Sequence, residues 1–158
     1  MAKHQERTVV IIKPDGIIRG LAGEILQRFE RKGFRIVGAK FGHLTDDLLL
    51  EHYAHHKEKA FFPKLVEYMK SAPSLILAIE GKNVVSAVRV MGGTTNASEA
   101  LPGTIRGDYA LSIQQNIVHI SENLEAAEAE VKRFFKDSEL FDYERVDFRA
   151  IYSAEEIE

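Results

Sequence analysis

Apolar residues in this chain fall into two kinds of run. Thr8-Val9-Val10-Ile11-Ile12 is continuous and β-branched, the pattern of a strand buried on both faces, and Pro14-Asp15-Gly16 breaks it with turn residues. From Leu21 to Lys32, Leu21, Ile25, Leu26 and Phe29 share one helical face, and Gly33 is placed to stop that helix. Phe34 to Phe41 alternates as a half-covered strand does. Thr45-Asp46-Asp47 opens a helix carrying Leu48, Leu49 and Tyr53, and Ala60 to Met69 predicts another with Phe62, Leu65, Val66 and Met69 inward. Leu75 to Ile79 reads as a strand ended by Glu80-Gly81. Asn83 is placed to cap a helix through Val84, Val85, Val88 and Met91. Ile117-Val118 reads as the last core strand, and Asn123 begins a helix through Leu124, Ala127, Val131 and Phe135.

This order of strands and helices, with no internal repeat, predicts an α+β fold of the split β-α-β kind: a mainly antiparallel sheet covered by helices. One connection stands out. Gly92 to Gln115 is longer than compact domains usually tolerate without a use for it; its glycines let a backbone approach an anion, and its hydroxyls and Arg106 supply donors.

Composition narrows the possibilities. At 158 residues with 45% apolar content, the chain is expected to form one domain with its own core. It has no cysteine, which excludes disulfides and thiolate chemistry. A net charge of −3 with no basic stripe makes nucleic acid an unlikely partner and offers nothing to an acidic membrane. No run is long enough for a signal-peptide core or a membrane span, so a cytoplasmic protein is expected. The acidic end, Glu155-Glu156-Ile157-Glu158, reads as a solvated or lightly docked tail.

The residues that suit phosphoryl transfer lie in separate turns: Lys13 after the first strand, Arg89 on a helix, Arg106 in the glycine-rich connection, with Thr95 and Asn116 as neutral donors. His119 is a candidate nucleophile, because neutral imidazole attacks phosphorus near pH 7. Taken singly, each also reads as an ordinary surface cation or core histidine. Glu130 could orient the imidazole, or be an exposed helix glutamate among Glu122, Glu125 and Glu128. His52, His55 and His56 are spaced to share a helix face. A solvated, titrating face is the simpler reading, a metal site the sharper one.

Several motifs then occur together. Val10-Ile11-Ile12-Lys13-Pro14-Asp15-Gly16, Arg89-Val90-Met91-Gly92-Gly93-Thr94-Thr95-Asn96, Pro102-Gly103-Thr104-Ile105-Arg106-Gly107-Asp108 and Asn116-Ile117-Val118-His119 resemble, in the same order, those of nucleoside diphosphate kinases. The match runs from Arg7 to Tyr143, and collinear motifs are far more specific than any one alone. The resemblance implies a ferredoxin-like βαββαβ domain with a four-stranded antiparallel sheet. It implies ping-pong transfer of a terminal phosphate between nucleoside tri- and diphosphates, ATP among them, through a phosphohistidine at His119. Glu130 and Ser121 match the groups that hold that histidine, and Lys13 and Tyr53 match others of the catalytic pocket. Arg89, Thr95, Arg106, Asn116, Lys59 and Leu65 match nucleotide-binding positions, with Phe61 under the base and Ile113 across from it. Magnesium is implied as Mg2+ carried on the nucleotide phosphates, with no protein metal ligands. A homo-oligomer is implied too; the segment from about 142 to 158 resembles the C-terminal extension of hexameric members, favouring a hexamer over a tetramer.

Three departures from the family pattern stand out. Ile120 stands where a glycine or alanine is usual, Ser121-Glu122-Asn123 replaces Ser-Asp-Ser, and Lys59-Ala60 replaces Arg-Pro. Lysine keeps the charge but loses the bidentate fork on phosphate. Ile120 beside the nucleophile keeps a second reading open, a nucleotide-binding module without turnover, unless its side chain points into the domain. A nucleic-acid-binding protein is a weaker third.

Overall fold

In the computed structural model, residues 5–157 are described, and Glu158 of the acidic tail lies outside them. Strands β1 (Gln5–Ile12), β2 (Arg35–Gly42), β3 (Ser74–Lys82) and β4 (Val118–Ile120) form one sheet in the order β2-β3-β1-β4. Every neighbouring pair is antiparallel, with Val10 opposite Leu77 on one side and Ile120 on the other. The connections carry helices α1 (Pro14–Ile18), α2 (Ala22–Lys32), α3 (Asp46–His52), α4 (Phe62–Lys70), α5 (Val84–Gly92), α6 (Ile105–Tyr109) and α7 (Leu124–Phe134). This is the ferredoxin-like α+β arrangement, with α3 and α4 inserted between β2 and β3.

The period of two along each strand sorts the core into two layers. Val10, Ile12, Leu77, Ile79, Val118 and Ile120 face α2 and α5, meeting Ile25, Phe29, Val85 and Val88. Val9, Ile11, Ile76 and Ala78 face the opposite way, onto Leu49 of α3, Leu65 and Met69 of α4, and Val131 and Phe134 of α7. Thus β1 is buried on both faces, as its continuous apolar run predicts.

Several boundaries differ from the sequence reading. Strand β3 does not stop at Glu80-Gly81 but pairs with β1 through Lys82. Glu80 is held there by Arg7 at 2.6 Å and by a buried bond from Arg35, and Phe34 packs where a Cβ on Gly81 would stand. Asn83 does not cap α5 with its side chain; it turns the chain in the left-handed region at φ 52°. Ile117 precedes β4 rather than belonging to it, so His119 lies inside the strand and not after it. The Ile117 backbone has φ 73°, a conformation that costs a β-branched residue about 1–3 kcal/mol. It is held by an N–H bond to the Asp15 carboxylate at 3.0 Å and by its carbonyl accepting from the Lys13 N–H at 2.8 Å. Helix α7 ends at Phe134, with Phe135 as its cap. The C-terminal segment is docked, not loose. Arg145 donates to the Glu30 and Phe34 carbonyls at 3.0 and 2.9 Å, Asp142 pairs with Arg35 at 2.6 Å, and Lys82 meets Glu156 at 2.8 Å. Short helices α8 (Phe148–Ile151) and α9 (Ala154–Ile157) complete it.

Candidate active site

His119 and Ile120 are adjacent in β4, so the sheet sends their side chains to opposite faces. His119 faces the α3 and α7 layer, in register with Ile11. Ile120, only 7% exposed, enters the α2 and α5 core, with its Cδ1 filling the space a Cβ on Gly92 would need. The residue that departs from the family pattern therefore packs against α5, and although it also borders the cleft, its side chain leaves the strand on the face opposite His119.

Helix α7 supplies the partner for His119. Asn123 caps it, accepting from the Ala126 N–H at 2.9 Å, which fixes the helix phase that turns Glu130 inward. Glu130 is 7% exposed, not the surface glutamate it could have been. Its Oε2 accepts from His119 Nε2 at 3.0 Å and from the Ser121 hydroxyl at 2.6 Å. Burial by itself would raise the carboxyl's pKa, but the bonds and charge of His119, with Ser121 behind them, hold it below the usual carboxylate range. Because Nε2 carries the bond to this carboxylate, Nδ1 is the ring nitrogen left with a lone pair to use. Ser121 also accepts from the Val9 N–H at 3.2 Å, tying the dyad to β1.

In front of His119 opens a cleft of about 570 Å³. Its inner wall is cationic. Lys13 is buried and donates to the Gln114 carbonyl at 3.0 Å; burial first, offset by Asp15 and reinforced by Arg106, pushes its amine down to about 8. Arg106 donates to the Gly93 and Val118 carbonyls, each at 2.7 Å, and burial followed by the charge of Arg89 brings it down to about 10. Arg89 reaches the Ser121 carbonyl at 3.4 Å. Asn116 spends its amide N–H groups on the Thr95 and Ile113 carbonyls, at 2.9 and 3.0 Å. Arg106 Nε and Asn116 Oδ1 are buried without a partner among the described residues. Tyr53 lines the cleft, its phenol pushed up by burial and by Glu130. The outer wall is apolar. Phe61 is 44% exposed and Ile113 64%, with Leu65 beside them.

The predicted residues are thus brought together with one exception. Lys59 does not line the cleft; its Nζ sits over the Phe61 ring, 5.8 Å from the centroid. Ser121 and Glu130 stand behind His119 rather than in the opening. The histidine trio is corrected by the structure. Helix α3 ends at His52, and Ala54–His56 form a separate 3-10 turn, so the three do not share a helical face. His52 is buried at 5% exposure, its ring 4.4 Å from that of His119 and nearly perpendicular to it. Burial, then the neighbouring His119 and Arg133, press its pKa far down and keep it uncharged. Its position three residues after the core residue Leu49 was the signal for burial. His56, by contrast, lines the cleft 5.1 Å from Phe61.

A family model for nucleoside diphosphate kinase matches residues 6–140. The chain belongs to the nucleoside diphosphate kinase family. Membership makes it a phosphotransferase, and relatives extend the match over nearly the whole chain. A nucleoside diphosphate kinase of Parabacteroides distasonis is 51% identical over 151 residues, covering 96% of this chain and 99% of the relative. One from Pyrococcus abyssi is 49% identical over 146 residues, 90% of this chain and 92% of its own length. The kinase of Halobacterium salinarum in complex with CDP superposes with a TM-score of 0.91 at 44% identity, covering 94% of this chain and 99% of that one. A transition-state mimic of the Borrelia burgdorferi kinase, with vanadate and ADP, superposes with a TM-score of 0.86 at 33% identity, over 92% and 96% of the two chains.

Proposed function

We propose that this nucleoside diphosphate kinase works by a ping-pong mechanism, with His119 as a transient phosphate carrier between nucleotides. The observation that carries the reading is the polarised imidazole: Nε2 engaged by a buried carboxylate, Nδ1 available beside a cationic cleft wall. Nδ1 attacks the terminal phosphorus of a triphosphate such as ATP, the bond to the bridging oxygen breaks, and the diphosphate leaves. The second diphosphate reverses the step. Glu130 stabilises the positive charge the ring gains, and Ser121 keeps that carboxylate in place. Lys13, Arg89 and Arg106, with Thr95 and Asn116, bind the phosphates and sugar, and Tyr53 confines the reacting group. Phe61 offers a stacking face that any base can use, with Ile113 across from it, Leu65 beside it and Lys59 at the rim.

The donor set also bears on Mg2+. Among the described residues lining the cleft there is no aspartate or glutamate, so the cleft offers no carboxylate cage for a hard cation. The residues present fit Mg2+ that arrives on the nucleotide, where it would neutralise phosphate charge. We further propose that residues 1–158 act as one domain in a cytoplasmic homo-oligomer, a hexamer in preference to a tetramer. Large exposed apolar side chains, Ile18, Phe41, Leu101 and Leu111 among them, support assembly. No described helix is long and apolar enough to cross a membrane.

Incubation with ATP and Mg2+ but no acceptor tests the mechanism. An acid-labile phosphate should form on the wild type, be absent from His119→Gln, and discharge onto added GDP. If nucleotide binds yet no phosphoenzyme forms, the ping-pong reading fails.

A further inference from the structure

We propose that Asp15, seated by the phenol of Tyr68, is a positioning residue for phosphoryl transfer, holding Lys13 and the turn before β4 at the inner wall of the cleft. An acid in the first turn of a helix ordinarily serves that helix's own N–H groups. Asp15 instead spends its two carboxylate oxygens on distant elements. Oδ1 accepts from the Tyr68 hydroxyl of α4, and Oδ2 accepts from the Ile117 N–H at 3.0 Å. Burial, then the bond to Asp15, pushes the Tyr68 pKa up and keeps it a phenol. Neither Asp15 nor Tyr68 lines the cleft, so they act on a nucleotide through the residues they hold.

The held backbone is strained. Ile117 is β-branched and has φ 73°, a conformation that persists only where its surroundings over-determine it. Asp15 fixes its N–H, and the Lys13 N–H fixes its carbonyl at 2.8 Å. Gly16 leaves room for this approach: a Cβ there would stand 3.3 Å from the Ile117 carbonyl oxygen. Two cleft residues flank the turn so made. Asn116, next to Ile117, is 2% exposed, and its Oδ1 is buried without a partner among the described residues. Lys13 donates to the Gln114 carbonyl at 3.0 Å, with its ammonium 5.8 Å from the centre of the Tyr68 ring.

Charge gives Asp15 a part that shape alone would not. Burial presses the Lys13 amine down to about 8, Asp15 opposes it, and Arg106 of α6 adds to it. Arg89 of α5 is a second cation on the same wall, and His119 faces in from β4. His52 at the end of α3 is kept uncharged, and Tyr53 and Tyr68 are neutral phenols. Asp15 is the anion in this company. A carboxylate beside a buried ammonium is worth about one pH unit or more to the charged form.

Titration calorimetry of Mg2+-ADP binding across pH, on the full chain, tests the role. Asp15→Asn keeps the shape, because the amide oxygen can accept from the Ile117 N–H and the amide nitrogen can donate to the phenol oxygen, but it removes the charge. The alkaline loss of affinity should move from about 8 to lower pH by about one unit or more, leaving affinity above that limb about tenfold weaker. An unmoved limb overturns the proposal. Should Asp15→Asn not fold, Tyr68→Phe decides, since it keeps ring and charge but frees Oδ1. Its kcat/KM for ATP should fall about tenfold or more with the limb in place, and wild-type kcat/KM overturns the proposal. The role rests on the nucleotide reading of the cleft, which Lys13→Ala judges separately. Undiminished ADP binding in Lys13→Ala sinks that reading and this role with it, whereas weakened binding beside an unmoved Asp15→Asn limb sinks the positioning role alone.

Discussion

At the scale of single residues, the site depends on which groups are charged. Glu130→Gln keeps the shape but presents an amide to His119 Nε2, removing the charge that favours the attacking tautomer. A fall in kcat of about 10²–10⁴-fold is expected, with a much smaller change in nucleotide KM. The same carboxyl links stability to pH. Its folded pKa lies below the ordinary 4.5, so its contribution is complete above 4.5 and is lost as pH falls through the folded value. Glu130→Gln should therefore flatten the acid limb of a denaturation profile; an unchanged limb would show that the bond contributes no net stability. Lys13 runs the other way. With a folded pKa of about 8 against 10.5, the unfolded chain binds more protons between those values, and stability rises with pH across that window. Nucleotide binding needs the ammonium form, so affinity should fall as pH rises through about 8 while stability improves. Titration calorimetry of nucleotide binding from neutral to alkaline pH checks this, and Lys13→Arg should show a flatter profile.

At the scale of elements, the contact between β4 and α5 decides whether Ile120 obstructs catalysis. Its side chain occupies the α5 side of the sheet, against Gly92. Gly92→Ala should thus overpack this junction and cost about 1–3 kcal/mol in chemical denaturation. Combined with Ile120→Ala, the two losses should be less than additive, by about 0.5–3 kcal/mol. Strict additivity would mean the side chains do not share that space. Ile120→Gly should lose about 2–5 kcal/mol of stability through the cavity it leaves, without a gain in kcat. A rise in turnover by orders of magnitude would show that Ile120 blocks His119 after all.

At the scale of the whole molecule, exposed apolar side chains bear on the proposed assembly. Leu111 is 89% exposed and Phe41, on the edge strand β2, is 67% exposed, more than a solitary chain benefits from leaving in water. Light scattering should give a mass about six times the 17.8 kDa chain. A mass of one chain would overturn the proposed assembly, and a mass of about four chains would favour the tetramer.

The strand and helix order, the buried character of β1 and the phosphate-binding residues are all local properties of the sequence. Unbroken β-branching, helical spacing and glycine-rich turns each act over a few neighbours, and they yielded the fold class and the candidate phosphate-binding residues. Tyr53, Phe61, Leu65 and Ile113 of the cleft wall came only from the family resemblance, and His56, Gln114 and the strand flank from neither. Boundaries were less legible where distant partners set them. Glu80 continues β3 because Arg7 and Arg35 hold it, and Ile117 takes a left-handed turn because Asp15 and Lys13 fix its backbone. The facing of His119 and Ile120 follows from their register against β1, which no local pattern contains. His52 was misread although its spacing from Leu49 pointed inward: the sequence does not mark where α3 ends, and Arg133 and Phe134 of α7 pack against its ring. Local spacing chose the elements, and long-range packing chose which side of each element meets the chemistry.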